Sequence, residues 1–245
     1  MSGHLNPGGQ QFRHDRGAAD PRVAAALAAY LAGRGSEQEA LTALSAARLL
    51  VPVVAVLADG SASSDGNKNG DKNGDKNSQV VLPTLIGRDG RPAVLAFTGL
   101  DALARWRPEA RPVPAEAHRV WRTAVADQCA VVIDVADPVP LAVEGARLGA
   151  LAAGQPVPPA HEDPDVRAAV AAAVAREPVI AGFSLAAGRT GTEATDLAVR
   201  LHLTRLAPGD LPPAVIRVAD GIAARLAGRL RRGIEFSATR DPVGS

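Results

Sequence analysis

One segment of the chain has residue types and spacing that approach a cation-binding loop. Residues 65–77 repeat the tetrapeptide Lys-Asn-Gly-Asp, and counting from Asp65 places Asp, Asn, Asn and Gly at the first, third, fifth and sixth positions of a calcium loop. The twelfth position is Lys76, where a calcium loop needs a bidentate glutamate, and two more lysines lie inside the loop. We therefore interpret residues 58–79 as a flexible exposed insert, with a weak cation site as the alternative.

Two short motifs in the second half approach catalytic and phosphate-binding patterns. Ser184 lies in Gly-Phe-Ser-Leu-Ala, which lacks the last glycine of a Gly-x-Ser-x-Gly nucleophile elbow, and the glycines that follow leave no place for the required helix. Arg189 stands where a P-loop has lysine, and Phe183 stands where its first glycine belongs. We therefore predict that Ser184 is a strand residue and that residues 182–191 form a flexible connection between strands.

Histidine and cysteine do not form a metal-ligand pattern. The histidines are His4, His14, His118, His161 and His202. No two of them have the spacing of a zinc-binding helix, so we expect no bound metal. The motifs described above identify no catalytic residue and no cofactor. Cys129 is the one cysteine, which excludes intrachain disulfides, and we expect it to be a buried small side chain.

Composition restricts the classes of protein further. The 245 residues are 47% hydrophobic, which is enough for one large or two small domains. A net charge of +1 and an aromatic content of 3% argue against a nucleic-acid binder. The first 20 residues lack the apolar core of a signal peptide, and no run approaches the length of a membrane span. We therefore expect a soluble cytoplasmic protein.

Helix signals are clear at several points. Asp20 is a suitable cap for a helix that begins at Pro21, and residues 36–39 (Ser-Glu-Gln-Glu) form a capping-box pattern for the next helix. The proline-rich residues 108–114 predict an elbow between two helices. The further helices are predicted at residues 100–106, 115–126, 144–153, 165–175 and 210–230.

Strand signals alternate with these helices. Residues 49–57 are apolar at almost every position, which predicts a strand covered on both faces. Asp89 and Gly90 favour a tight turn, so residues 80–86 and 92–97 should be antiparallel neighbours. The other strands are predicted at residues 130–135, 139–143, 178–186, 196–203 and 234–238.

Together the elements predict an α+β fold. We expect two mixed α/β units, each a small and mainly antiparallel sheet packed with helices. Residues 1–19 are predicted to be a disordered tail, residues 20–154 a first domain, residues 155–164 a proline-rich linker, and residues 165–245 a smaller second unit.

A family resemblance rests on three consecutive segments. They are residues 47–57 (Ala-Arg-Leu-Leu-Val-Pro-Val-Val-Ala-Val-Leu), residues 82–90 (Leu-Pro-Thr-Leu-Ile-Gly-Arg-Asp-Gly), and Ala96-Phe97-Thr98 followed by residues 100–112. With them, the chain over about residues 20–154 resembles the N-terminal domain of the SseB (enhanced serine sensitivity) family, especially its actinobacterial members. The resemblance implies a compact α+β domain and supplies no catalytic or ligand residues. The serine-sensitivity name describes a phenotype rather than a reaction.

Two groups of residues are candidates for surface contacts. Trp106 and Trp121 are expected to be packing residues. With Arg105, Arg107 and Arg111, however, Trp106 is also a candidate interaction patch. The second group is Arg225, Arg229, Arg231 and Arg232, which we interpret as offsetting the dipole at the end of the last long helix, with an anion site as the alternative.

Two functional hypotheses follow. The first is a non-enzymatic module that acts through a protein partner or through self-association, without nucleic acid or membrane. The second is a regulator that responds to a small ligand or nucleotide, or an enzyme, with a site between the two halves. Its candidate polar groups are Arg88, Asp89, Arg105, Arg200 and His202.

Overall fold

A computed structural model describes residue 12 and residues 15–53, 84–86, 90–138, 140–204, 211–226 and 228–240. Within these ranges the chain forms seven helices and nine strands, which confirms the predicted α+β class. The repeat insert, the turn residues Arg88 and Asp89, and His4 and His14 lie outside the described residues.

The elements alternate along the chain. The helices are α1 (Pro21–Leu31), α2 (Glu37–Ser45), α3 (Leu100–Trp106), α4 (Ala117–Ala126), α5 (Gly145–Ala152), α6 (Pro164–Val174) and α7 (Leu211–Arg225). The strands are β1 (Arg48–Val53), β2 (Thr84–Ile86), β3 (Pro92–Ala96), β4 (Arg111–Glu116), β5 (Ala130–Ile133), β6 (Leu141–Val143), β7 (Ile180–Ala187), β8 (Leu197–Leu203) and β9 (Ile234–Arg240).

Helix α1 and helix α2 begin at the caps that the sequence predicts. The Asp20 carboxylate accepts a hydrogen bond of 2.7 Å from the Arg22 backbone N–H. Ser36 and Glu39 form both bonds of the capping box, since the Ser36 hydroxyl accepts from the Glu39 N–H and the Glu39 carboxylate accepts from the Ser36 N–H. These bonds satisfy backbone donors that a helix end leaves open.

Strand β4 corrects the prediction of a proline elbow. Residues 111–116 pair antiparallel with β1, and the following helix begins at Ala117 rather than at residue 115. Pro114 lies opposite Leu50, whose N–H and C=O bond Phe97 on the other side of β1. Because the backbone groups of Leu50 bond Phe97, they need no N–H from Pro114. A strand at the edge of a sheet can therefore contain proline.

A four-stranded sheet has the order β2-β3-β5-β6. Strands β2 and β3 are antiparallel, as the Asp89-Gly90 turn predicted, and β5 and β6 are also antiparallel. Strands β3 and β5 are parallel, so their carboxyl ends reach the same edge of the sheet. Leu50 and Phe97 join β1 to this sheet through backbone bonds of 2.7 and 2.8 Å.

Side chains of β1 alternate between two apolar clusters. Leu49 and Val51 are buried in the cluster that contains Trp121 of α4, whereas Leu50 is buried with Phe97 and Leu103 of α3. Strand β1 is therefore covered on both faces, as its apolar sequence predicted.

A third sheet, of order β7-β8-β9, lies in the second half of the chain. Strand β7 is antiparallel to β8, and β9 is parallel to it. Helices α6 and α7 cover one face, where Val170, Leu201 and Ile222 are buried in a common cluster. Ser184 is a residue of β7, which confirms its prediction as a strand residue. Because β7 continues to Ala187, the connection predicted over residues 182–191 is wrong for residues 182–187, and only residues 188–191 lie between the strands.

Gly145 begins α5 at a contact between the first and second halves of the chain. The Asp165 carboxylate of α6 accepts a bond of 2.8 Å from the Ala146 N–H, and thereby caps α5. Gly145 has φ +59°, and a Cβ atom there would lie 2.2 Å from Asp165 Oδ2. Both the backbone conformation and the close contact therefore require glycine.

We predict that Gly145→Ala lowers the free energy of unfolding by about 2 kcal/mol or more, because it adds backbone strain and displaces the Asp165 cap. Chemical denaturation monitored by circular dichroism measures the change. The matched control is Gly149→Ala in the same helix, where a Cβ meets nothing within 4 Å. That control should raise stability by about 0.5–1 kcal/mol, and equal effects of the two substitutions would contradict the prediction.

Candidate functional site

A cleft of about 490 Å³ lies at the edge where the parallel strands β3 and β5 end. Helix α1 forms one wall with Ala24, Leu27, Ala28 and Leu31, and the beginning of α3 forms another. The carboxyl ends of parallel strands are a common place for ligands, and the volume is that of a small-molecule site. We name it the Asp134 cleft, after its most buried carboxyl group.

Asp134 ties the ends of the two parallel strands together. It follows β5 with φ +49°, a conformation that aspartate tolerates better than most residues, and its exposed fraction is 8%. Its Oδ1 accepts from the Thr98 N–H at 2.9 Å, and its Oδ2 accepts from the Thr98 hydroxyl at 2.7 Å. These bonds hold the turn that leads from β3 into α3.

Burial raises the pKa of the Asp134 carboxyl above its usual value. The two hydrogen bonds from Thr98 lower that pKa, the charge of Asp137 raises it, and Arg105 lowers it. A carboxylate has about four acceptor positions, and Thr98 occupies two of them. Each oxygen of the buried group therefore has one partner and can accept a further donor.

Arg105 lies at the rim of the cleft and pairs with Asp137. Its Nε and Nη2 donate to Asp137 Oδ1 at 2.9 and 2.6 Å, and this hydrogen bonding raises the pKa of Arg105. Because the Arg105 side chain is about half exposed, the pair adds little to stability. Its effect is to hold both side chains in place at the cleft entrance.

A strap of residues 15–19 closes one side of the cleft. Arg48 holds the strap through an ion pair of 2.6 Å with Asp15 and a hydrogen bond to the Ala18 carbonyl. Arg48 also donates to the Thr98 carbonyl at 3.0 Å, and the Leu100 N–H donates to the Gly17 carbonyl at 2.8 Å. Residues 15–19, which the composition placed in a disordered tail, thus contact the same turn that Asp134 holds.

A second set of charged residues joins the two halves of the chain. We name Glu37, Arg147, Asp163 and Arg229 the junction network. Arg229 donates to Asp163 at 2.6 Å and to Glu37 at 3.0 Å, while Arg147 donates to the other oxygen of Glu37. Asp163 is fully buried and Arg147 is 3% exposed. Two guanidinium groups and two carboxylates offset one another, as buried charges require.

Within the predicted interaction patch, Arg105 differs from Trp106, Arg107 and Arg111 because it lines the Asp134 cleft. Trp106 is half-buried against Phe97, with ring centroids 5.5 Å apart, and the Arg107 guanidinium lies 5.0 Å above the Trp106 ring. Arg111 is exposed on β4. Arg105 instead faces Asp137 in the Asp134 cleft.

Of the polar groups predicted for a site between the halves, Arg88 and Asp89 lie outside the described residues, and the other three do not meet there. Arg105 lines the Asp134 cleft, whereas Arg200 and His202 lie on β8 of the third sheet. His202 Nε2 is 3.3 Å from the Ser184 hydroxyl of the neighbouring strand. The charged residues of the junction network do meet between the halves. The sequence analysis named only Arg229 among them, and interpreted it as a residue that offsets the helix dipole.

The structure also corrects the interpretation of the four arginines at the end of α7 and after it. Arg225 donates to the Gly221 carbonyl, as a residue at a helix end can. The others bind specific side chains: Arg229 pairs with Glu37 and Asp163, and Arg232 pairs with Asp196 at 2.8 Å. Arg231 lies 5.2 Å above the ring of Tyr30. Three of the four therefore make tertiary contacts rather than a dipole contact.

The remaining candidates have ordinary surroundings. Trp121 is fully buried in the cluster that also contains Leu49 and Val51, and Cys129 is buried as predicted. His118 lies 3.5 Å from Glu116, and His161 lies 3.5 Å from Glu162. Across the residues that the structure describes, no three His, Cys, Asp or Glu side chains are grouped to hold a metal ion. In the same ranges, no helix has the length and apolarity needed to cross a membrane.

The fold and the cleft define a small α+β protein with a candidate binding site at the edge of its central sheet. The model of the SseB protein N-terminal domain matches residues 23–150, just over half of the chain. The chain belongs to the SseB family. The matched region contains Thr98, Arg105 and Asp134. No curated protein and no solved structure matches the chain.

We predict that Asp134→Asn changes how stability depends on pH. Asp134 has its ordinary pKa of 3.8 in the unfolded chain and a higher pKa in the folded protein. Between these two pKa values the folded state binds more protons, so the free energy of unfolding falls as the pH rises through that window. Asparagine tolerates the same backbone conformation and does not titrate.

Urea denaturation at a series of pH values from about 3 to about 7 tests this prediction. The stability of Asp134→Asn relative to the wild type should rise with pH and then become constant. The control is Gly149→Ala, which replaces no titratable group, so its stability relative to the wild type should not change with pH. A flat or falling difference for Asp134→Asn would contradict the assignment.

Proposed function

We propose that this chain is a non-enzymatic regulatory module of the cytoplasm that binds a small molecule in the Asp134 cleft. The observation that carries the proposal is the cleft itself, which combines an apolar wall from α1 with a buried carboxyl group at the ends of β3 and β5. An apolar wall supplies affinity, and a few fixed polar groups supply orientation. The one cysteine supports a reducing compartment.

The polar groups of the cleft support binding rather than chemistry. Both oxygens of Asp134 are held by Thr98, and Asp137 is held by Arg105. Groups fixed by one another in this way orient a ligand well. A general acid or base must instead exchange a proton with its substrate, and these carboxylates are engaged in structural bonds.

A regulatory role is supported by the separate origins of the cleft walls. The strap, α1 and α3 belong to different parts of the chain, and Arg48 connects the strap to Thr98 at the floor. A ligand that contacts all three would favour the arrangement in which they lie together. Binding would thereby alter the surface that the strap and α3 present to a partner.

We predict that a small molecule from a screen of amines, amino acids, nucleotides and divalent cations raises the melting temperature. At a concentration of about 100 Kd the gain in stability is about 2.7 kcal/mol, or roughly 5–10 °C for a chain of this size. The variant Ala28→Phe should abolish the shift, because Ala28 lines the cleft.

Ala25→Phe is the matched control. Ala25 is exposed on the same helix and does not line the cleft, so this variant should retain the full shift. A shift that survives Ala28→Phe would place binding elsewhere, and the proposed function would then be wrong.

A protein partner or self-association is the second candidate function. It is favoured by the surface of Trp106, Arg107 and Arg111, which we name the Trp106 surface. An arginine stacked on a half-exposed tryptophan presents two residue types that are common in binding hot spots. Proline at positions 112 and 114 leaves β4 poor in N–H donors, so a partner would bind through side chains rather than by adding a strand.

For this surface we predict that the double variant Arg107→Glu and Arg111→Glu weakens association at least about tenfold, because reversed charges repel a partner that fits the wild type. Sedimentation equilibrium measures self-association, and cross-linking with mass spectrometry finds a hetero-partner. The charge-matched control is the double variant Arg22→Glu and Arg122→Glu, at exposed positions of α1 and α4. Association that is unaffected by the double variant would exclude the Trp106 surface.

A further inference from the structure

We infer that the ligand of the Asp134 cleft is a small amphipathic cation, with an ammonium group against Asp134 and a short apolar body against α1. This inference rests on the proposed function and names the ligand class for the same site. It follows from the charge of the lining, the bonding capacity of Asp134 and the apolar wall, taken together.

The first step is the charge of the lining. The cleft contains three carboxyl groups, Asp101, Asp134 and Asp137, against two guanidinium groups, Arg16 and Arg105. Arg105 is committed to Asp137. Without this pair, two carboxyl groups, Asp101 and Asp134, remain against one guanidinium group, Arg16. In a partly enclosed space this excess of negative charge favours a positive ligand over a phosphate or a carboxylate.

The second step is the capacity of the buried carboxyl group. Thr98 fills two of the roughly four acceptor positions of Asp134 and contributes both of its own donors. Asp134 is more than nine-tenths buried and lines the cleft. A ligand ammonium group can supply up to three further donors and a compensating charge, which a neutral hydroxyl group cannot match.

The third step is the apolar wall. The face of α1 toward the cleft consists of Ala24, Leu27, Ala28 and Leu31, and α1 contributes no charged side chain there. Each methylene group buried against this wall increases affinity by a factor of roughly four. The wall therefore selects an amine with a hydrocarbon body over a small hydrated cation.

The charged groups around Asp134 determine how binding responds to pH. Arg105 of α3 and Asp137 of the turn after β5 act on its charge, and Asp101 of α3 and Arg16 of the strap line the same cleft. Burial raises the pKa of Asp134, and a bound ammonium group would lower it again. Affinity should therefore increase as the pH rises through the pKa of Asp134 and become constant above it.

Isothermal titration calorimetry with three probes tests the ligand class. The probes are 2-phenylethylammonium, 2-phenylethanol and 3-phenylpropionate, which share an aromatic body and differ in the head group, with ATP as a nucleotide probe. We expect the ammonium probe to bind at least about tenfold more tightly than the other three. Chemical-shift changes at Gly17, Thr98 and Gly99 should locate it in the cleft.

Variants then test whether Asp134 binds the head group of the ligand. Asp134→Asn should weaken the ammonium probe about tenfold and leave the alcohol probe unchanged, whereas Asp220→Asn should change neither. If Asp134→Asn fails to fold, the wild-type affinity measured between about pH 4 and pH 7 provides the same information without a variant. An affinity for the ammonium probe that does not change across this range would overturn the inference.

The outcomes separate this inference from the proposed function. Tighter binding of 3-phenylpropionate or ATP, located in the cleft and lost in Ala28→Phe, would overturn the ligand class and keep the binding module. Binding of the ammonium probe that Ala28→Phe does not affect would overturn both. If none of the four probes binds, the ligand class is wrong, and the broader melting screen decides the proposed function.

Discussion

The contact of Arg229 with Glu37 and Asp163 is the interaction on which the arrangement of the two halves depends. Arg229 and Glu37 are 192 residues apart in the chain, yet their side chains meet at 3.0 Å in a largely buried junction. Glu37 also pairs with Arg147, so every charged group of the junction network has an opposite partner. Removing one of them would leave another buried charge uncompensated, which costs far more than losing a surface ion pair.

The same junction positions one wall of the candidate site. Tyr30 of α1 donates to the carbonyls of Gly228 and Arg229, and burial raises its pKa to about 12. Other residues of the same helix, among them Ala28 and Leu31, line the Asp134 cleft. The second half of the chain therefore holds the helix that forms the apolar wall, and any change at the junction would reach the cleft through α1.

Local signals in the sequence predicted much of the fold. The cap at Asp20, the capping box at Ser36 and the hairpin turn at Gly90 each depend on residues a few positions apart, so their patterns are visible without the tertiary structure. Strand β4 was missed because its prolines are unfavourable for a strand in general. They are tolerated here because Pro114 lies opposite Leu50, which bonds Phe97 instead.

The sequence by itself determined the α+β class, most helix boundaries and the two-sided burial of β1, because these follow from short-range periodicity and capping. Only the tertiary structure decided which polar groups share one space. Asp134 and Thr98 are 36 residues apart, and only the fold brings them into contact. Arg229 was interpreted as offsetting the helix dipole, whereas the structure pairs it with the carboxylate of Asp163. An isolated carboxylate or guanidinium carries no periodic pattern, and its role is set by the partners that folding brings within about 3 Å of it.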